Sequence, residues 1–311
     1  MKAAQIFDYG HADVVQVVEI EKPEATAGTV LVEVHASSLN PWDTVVREGW
    51  VEDRIPLQLP VTLGVDLAGV VSEVGSGVTE LAVGDKVYGG AGVPDAGSGA
   101  LAEYALTKAS HVGRMPSNLG FAEAGAAPLA GLSALQALQD RMQLQPGQKI
   151  LIHGGAGGIG TIAIQIAKHL GAYVTATATG EGLQYVKDLG ADEVIDYKTQ
   201  QFDELLHDYD AVFDTVAGET YARSFKVLKR GGILVSMLTP PNQELMDQYG
   251  VTALFQQTSV APKSLNALTK LIEDGVVTIR VDQTFPLDQI VEAFTARENG
   301  TVKGKIAIQI R

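Results

Sequence analysis

From about residue 119 to about residue 255, the apolar positions of this chain alternate between two patterns. Short apolar runs at 149–153, 173–177, 193–197, 210–215 and 233–238 read as buried strands. Stretches with helical spacing lie between them, at 159–170, 181–189, 200–207 and 219–229. In the first of these, apolar residues fall at 159, 162, 163, 166, 167 and 170, which is one helix face. Gly171, Gly190 and the pair Gly231 and Gly232 stand where helices or strands should stop. Strand and helix alternating at this spacing predict a parallel sheet with right-handed crossovers. Residues 121–144, rich in alanine and leucine, read as one leading helix before the turn at Pro146 and Gly147.

The first 115 residues follow a shorter period. Runs such as Val30 to Val34 and Ala68 to Val74 are separated by turn residues, among them Gly75, Ser76 and Gly77, then Val83, Gly84 and Asp85. This part is mainly β, a barrel-like unit. The tail returns to mixed structure, with helices expected at 263–274 and 287–297 and strands at 278–285 and 305–310. No repeat and no low-complexity stretch is visible in the chain.

The richest chemical signal follows the run Ile150, Leu151, Ile152. His153 leads into Gly154, Gly155, Ala156, Gly157, Gly158, Ile159 and Gly160, and then into the helical stretch. Gly155, Gly157 and Gly160 fit G-x-G-x-x-G between a strand and a helix, the dinucleotide fingerprint. On this reading Gly155 permits a tight turn, Gly157 lets the backbone approach a pyrophosphate, and Gly160 lets the helix pack against the sheet. The helix N-terminus offers N–H groups and a positive dipole end to the phosphates. His153, at the strand end, reads as structural, and so does His35.

Composition narrows the classes. The chain has 311 residues, 46% hydrophobic and 19% charged, as expected of a globular protein of about two domains. No apolar run is long enough for a transmembrane helix, and the first residues lack the apolar core of a signal peptide, so a cytoplasmic location is expected. A net charge of −14 argues against nucleic acid or an anionic membrane as partner. With no cysteine, thiol nucleophiles and thiolate metal ligands are excluded. No Gly-x-Ser-x-Gly elbow of a serine hydrolase occurs.

An ordered set of short segments resembles the zinc-independent medium-chain dehydrogenase/reductase superfamily, quinone oxidoreductase branch. These segments are Asn40 to Asp43, Gly64 to Val71, Val83 to Gly89, Ala127 to Ala134, the glycine run, Leu189 to Tyr197, Gly231 with Gly232, and Gly304 to Ile308. The resemblance implies an α/β chain with a GroES-like β-rich catalytic domain (1–118 and 257–311) and an inserted Rossmann NADP(H)-binding domain with a doubly wound parallel sheet (119–256). It also implies an active site in the cleft and, often, a homodimer. Zinc-bearing relatives read Gly-His-Glu where this chain has Gly64, Val65 and Asp66, so the ligands for catalytic zinc are missing.

The same resemblance implies a small-molecule reductase using NADPH, with a quinone or activated alkene as the electron-poor acceptor. An alkenal/enone double-bond reductase is the alternative within enzymes, and a non-enzymatic NADPH-binding sensor the alternative outside them. The region near 174–180 has no acid to bind a ribose 2′-hydroxyl, while Thr177 and Thr179 could donate to a 2′-phosphate. Tyr197 matches a position that flanks that phosphate in relatives. Glu181 and the absence of a nearby base weaken the discrimination, so NADH is a lesser possibility. By resemblance the nicotinamide rests near Pro128, Leu129 and Ser133 and near the loop Met237, Leu238, Thr239, whose backbone could bond the carboxamide. Asn40 lines the pocket and can polarise a carbonyl; equally it suits a helix N-cap, with Pro41 at N1 and Asp43 at N3. Trp50, where many relatives carry tyrosine, could stack on a flat acceptor, or else be a packed anchor. Arg47 reads as a surface or salt-bridge residue. Phe255, Gln256 and Gln257 are expected on the substrate side or subunit edge by resemblance alone.

Overall fold

A computed structural model describes residues 1–300 and 302–311. The chain divides into two compact units, one of 1–129, 260–273 and 279–311, the other of 130–259 and 274–278. The seam differs from 118/119 because the helix Phe121–Ala126 is held by the β-rich unit. A Cβ added to its Gly125 would lie 2.9 Å from the Ala36 carbonyl oxygen. Residues 274–278 join the other unit because Gln165 bonds both the N–H and the C=O of Thr278.

In the β-rich unit, Thr29–Ser38 is the central strand. It pairs antiparallel with Asp66–Val74, Tyr104–Lys108 and Lys305–Gln309. The sheet continues through Val281–Pro286 at one edge and Lys86–Gly90 and Val112–Arg114 at the other. A second, three-stranded sheet holds Val15–Glu19, Lys2–Ile6 and Val61–Thr62. Inward-facing Val30, Val32, Val34, Leu67, Val71 and Val87 form one core. Ile6, Leu39, Val46, Leu101, Ile290, Phe294, Ile306 and Ile308 form another.

The second unit is a six-stranded parallel sheet in the order Glu193–Asp196, Tyr173–Ala178, Lys149–Ile152, Tyr209–Asp214, Leu228–Ser236, Thr252–Phe255. Numbered along the chain this is 3-2-1-4-5-6, the doubly wound order in which ligands bind where the winding reverses. Strand Lys149–Ile152 is the first of the six and lies between the second and the fourth, so the glycine run leaves the sheet at that reversal.

Several expected elements are interrupted. Residues 121–144 form Phe121–Ala126, Pro128–Leu135 and a π-helical turn Gln136–Arg141. Pro128 has no N–H to continue the first helix. The 200–207 helix shrinks to Phe202–Leu205 before Asp208, which takes a left-handed φ of 60°. The 219–229 helix ends at Ser224 and tightens into a 3₁₀ turn over Phe225–Val227. The next strand begins at Leu228, which pairs with Tyr209 ahead of a register shift.

Candidate coenzyme loop and buried polar cluster

The glycine run turns sharply at Gly154, where φ is +67°. That left-handed position falls on Gly154 and not on Gly155, the residue expected to make the turn. What Gly155 supplies is space: a Cβ there would lie 2.9 Å from that of Ala176. A Cβ on Gly160 would collide with the Gly154 carbonyl, so this glycine lets the helix start hard against the turn, while the helix packs on strands Lys149–Ile152 and Tyr173–Ala178. Gly157 differs from both. Only the Gly154 oxygen, at 3.3 Å, would approach its Cβ, and its φ of −80° suits any residue. Gly157 is the N-cap of helix Gly158–His169 and carries no side chain to cap it. The N–H groups of Gly158, Ile159 and Gly160 have no helical carbonyl four residues back, which leaves a donor cluster beside an unobstructed backbone. Ala156 faces Gly182 across the loop, with their Cβ positions 3.1 Å apart.

A buried network holds this loop from beneath. Thr177 is only 3% exposed; its hydroxyl accepts the Gly154 N–H at 3.1 Å and meets His153 Nδ1 at 3.3 Å. Its carbonyl accepts the Gly155 N–H. The Thr177 hydroxyl is thus spent on shaping the loop and does not face outward toward a phosphate. His153 Nε2 meets Ser224 Oγ at 3.0 Å, and burial pushes the imidazole pKa down to about 4, so this ring is neutral and structural. Beside it, Asp214 is fully buried. Its Oδ1 accepts the N–H groups of Val216 and Ala217, and its Oδ2 accepts the Ser236 hydroxyl. Ser236 Oγ in turn accepts the N–H groups of Leu238 and Thr239, while the Met237 N–H donates to the Asp214 carbonyl. These three N–H groups are therefore engaged by Ser236 and Asp214 at the strand ends. Any bond from the loop to a carboxamide would fall to its carbonyls.

At the ends of the two neighbouring strands, Ala178 pairs in register with Asp196. The Lys198 N–H and the Thr179 hydroxyl hold the Asp196 carboxylate below its ordinary pKa. Tyr197 is 54% exposed, and the exposed Lys198 follows it on the same turn. A base near the ends of these strands thus comes from the neighbouring strand. No Lys or Arg follows strand Tyr173–Ala178 before Lys187. Ser133 is buried and bonds Thr258 Oγ1, and Gln256 is buried between Arg141 and Gln136 instead of lining an open face.

The β-rich unit gathers a second set of polar groups. Asn40 is the N-cap of helix Pro41–Arg47, and the Asp43 carboxylate accepts its backbone N–H at 2.7 Å. The Asn40 carboxamide is occupied elsewhere. Its Nδ2 donates to Asp66 Oδ2 at 2.9 Å, and its Oδ1 accepts from Lys305 Nζ. Asp66 also accepts from Ser38 Oγ and from the Leu129 N–H, at the start of helix Pro128–Leu135. Asn40, Asp43, Asp66 and Lys305 are all buried. Burial drives the Asp43 pKa up to about 6 and pushes Lys305 below its ordinary value. Arg297, which donates to Thr44, is depressed for the same reason.

Arg47 is fully buried, against the surface alternative. It pairs with Glu48 and Glu298 and lies over the Phe294 ring. Trp50 is 71% exposed, so it is not a packed anchor. His35 stacks on Phe121. Among the described residues no group of three or more His, Cys, Asp or Glu could hold a metal ion, and no helix is long and apolar enough to cross a membrane.

Comparison with known proteins places this geometry. Residues 26–117 match the alcohol dehydrogenase GroES-like domain, and residues 189–308 match the family described as zinc-binding dehydrogenase. The chain is 37% identical to 2-methylene-furan-3-one reductase of Solanum lycopersicum, over 99% of this chain and 79% of that protein. It is 36% identical, over the same shares, to the chloroplastic NADPH-dependent alkenal/one oxidoreductase of Arabidopsis thaliana. Among solved structures it resembles the quinone oxidoreductase from Coxiella burnetii, with a TM-score of 0.93 and 34% identity over 100% of this chain and 99% of that one. It also resembles Escherichia coli quinone oxidoreductase complexed with NADPH, with a TM-score of 0.90 and 28% identity over the full length of both. The fold and these likenesses define a two-unit oxidoreductase. The chain belongs to the medium-chain dehydrogenase/reductase superfamily, in its quinone oxidoreductase branch. The donor set does not fit the metal in the second family's name: the chain has no cysteine, and Val65 stands where zinc-bearing relatives place histidine.

Proposed function

We propose that this protein is an NADPH-dependent, zinc-independent reductase of flat, electron-poor carbonyl acceptors, either quinones or activated alkenes. The observation that carries the reading is the glycine loop. Gly155 and Gly160 are needed for packing, whereas Gly157 leaves open space in front of a helix N-terminus at the winding reversal of the sheet. NADPH, when bound, supplies hydride. Gly158, Ile159 and Gly160 hold its pyrophosphate through backbone N–H groups, and Gly157, whose own N–H is held by the Gly154 carbonyl, leaves the approach open. Tyr197 and Lys198 flank the 2′-phosphate, and Thr179 reaches that end only by giving up its bond to Asp196. The family resemblance assigns Pro128, Leu129, Ser133 and the Met237 to Thr239 loop each to the nicotinamide end. Exposed Trp50 stacks on the acceptor. Asn40 shapes the acceptor pocket. With both ends of its carboxamide engaged, it polarises a carbonyl only by rearranging. We also propose that two copies associate through the edge strand Thr252–Phe255, supported by its position in the sheet and by Phe255, which is 43% exposed.

The test follows loss of nicotinamide absorbance with a benzoquinone and with an enone, each with NADPH and with NADH. Turnover with at least one acceptor and a preference for NADPH is expected. The alkenal and furanone reductases among the relatives favour the enone as the better acceptor. Tight NADPH binding without turnover of either acceptor would refute the reductase reading, and about tenfold better kcat/KM with NADH would refute the coenzyme assignment.

A further inference from the structure

The cluster around Asp66 contains more charge than a structural junction needs. Asp66 is fully buried and Lys305 is 6% exposed, with the ammonium 3.4 Å from Asp66 Oδ2. Buried ion pairs of this kind are weak contributors to stability, because desolvation offsets their attraction. Apolar residues of the same volume would serve a core as well. What the charges do fix is direction. The Asn40 carboxamide has its oxygen toward the ammonium and its NH₂ toward the carboxylate. Turned over, it would set donor against donor and acceptor against acceptor. Asp66 Oδ1 meanwhile takes the Leu129 N–H at 2.8 Å. Pro128, the residue before, has no N–H to offer, so this bond anchors the first available donor of helix Pro128–Leu135. One carboxylate, balanced by one ammonium, therefore ties down three segments: Ser38 to Asn40, Pro128 with Leu129, and the start of strand Lys305–Gln309.

We propose that Asp66 and Lys305 are positioning residues for hydride transfer, which together set the orientation of Asn40 and the place of Pro128 and Leu129. The inference rests on the reductase reading above, in which Asn40 borders the acceptor and Pro128 and Leu129 border the nicotinamide. A shift of about 1 Å in such groups costs on the order of a hundredfold in rate. The pair touches neither the glycine loop nor its supporting network, so its effect falls mainly on the chemical step and only slightly on NADPH affinity.

The test compares the intact protein with Asp66→Asn/Lys305→Met, which removes both charges at nearly constant volume, and with Lys305→Arg, which keeps the cation. The readouts are kcat, KM for each substrate and the primary isotope effect with NADPH deuterated at the transferred position. For the neutral pair we expect kcat to fall by about tenfold to a hundredfold, KM for NADPH to stay within about twofold, and the isotope effect to rise as hydride transfer becomes rate-limiting. Lys305→Arg, which keeps the cation but adds volume at a buried site, should lose less kcat than the neutral pair and show a smaller rise in the isotope effect. A merely structural role would lower kcat through a smaller active fraction and leave the isotope effect where it was. That result, or unchanged kcat in the folded pair, overturns the proposal. If the pair does not fold, Lys305→Gln takes its place with the same expected rise. An intact protein inactive with every acceptor removes the reductase reading and this inference together. An active one whose neutral pair retains kcat and isotope effect removes the inference alone.

Discussion

Two buried titratable side chains, Asp43 and His153, have pKa values moved in opposite directions by the same cause. Burial raises Asp43 from 3.8 to about 6 and lowers His153 from 6.5 to about 4. Their linkage to stability therefore has opposite signs. In the folded chain Asp43 keeps its proton up to about pH 6, whereas unfolded chain gives it up near 3.8. The β-rich unit is thus penalised above about pH 6, by ~3 kcal/mol from this group, and regains that stability as pH falls toward 3.8. His153 is neutral in both states above about 6.5. Below that the unfolded chain takes up a proton the native state refuses, and the parallel-sheet unit loses ~3 kcal/mol by about pH 4. Urea unfolding of Asp43→Asn and His153→Gln at about pH 7 and about pH 4.5 checks both signs. Asp43→Asn should lose more stability than the parent on acidification, and His153→Gln less. Parallel shifts in the two variants would contradict the assignment of opposite burial penalties.

At the scale of the element, the glycine loop separates packing from binding within a single turn. Gly160→Ala forces a methyl against the Gly154 carbonyl, so the loop or the helix must move. We expect about 2 kcal/mol or more of destabilisation together with weaker NADPH binding. Gly157→Ala meets nothing closer than 3.3 Å and needs no unusual φ. It should leave the melting temperature nearly unchanged while raising the NADPH Kd by about tenfold or more, because the methyl occupies the side from which a pyrophosphate approaches. Calorimetry and coenzyme fluorescence titration distinguish the two. The strand, the loop and the helix were all legible in the spacing of apolar residues and glycines. Which glycine carries the left-handed turn was not, because the pattern records only where side chains are absent, and both crowding and positive φ produce that absence. Likewise Pro128 ends one helix and begins another within an unbroken alanine- and leucine-rich run, and periodicity alone cannot mark that break. The bond between Asp66 and Lys305 lay beyond any local pattern. Each sits in a recognisable motif, yet nothing in the spacing pairs them, and the engagement of the Thr177 hydroxyl is likewise invisible locally, because its partners Gly154 and His153 lie in the loop after another strand.

At the scale of the whole molecule, the parallel-sheet unit presents one strand edge at Thr252–Phe255 with an exposed aromatic ring. Exposed edges of this kind invite pairing. Light scattering should give twice the mass of one chain, and Phe255→Lys, a charge on that edge, should shift the protein toward single copies. A single-chain mass for the parent across micromolar concentrations would exclude the association. The route of the backbone has a separate consequence. Asp66 and Lys305 are 239 residues apart. At a synthesis rate of roughly 5–20 residues per second, the carboxylate waits about ten to fifty seconds for its counter-ion. In that interval the whole segment 130–259 emerges. The inserted unit can therefore complete its sheet on the ribosome while the β-rich unit still lacks strand Lys305–Gln309 and the charge that neutralises its interior. The β-rich unit, interrupted by the other, gains the counter-charge of Asp66 only when strand Lys305–Gln309 returns to it.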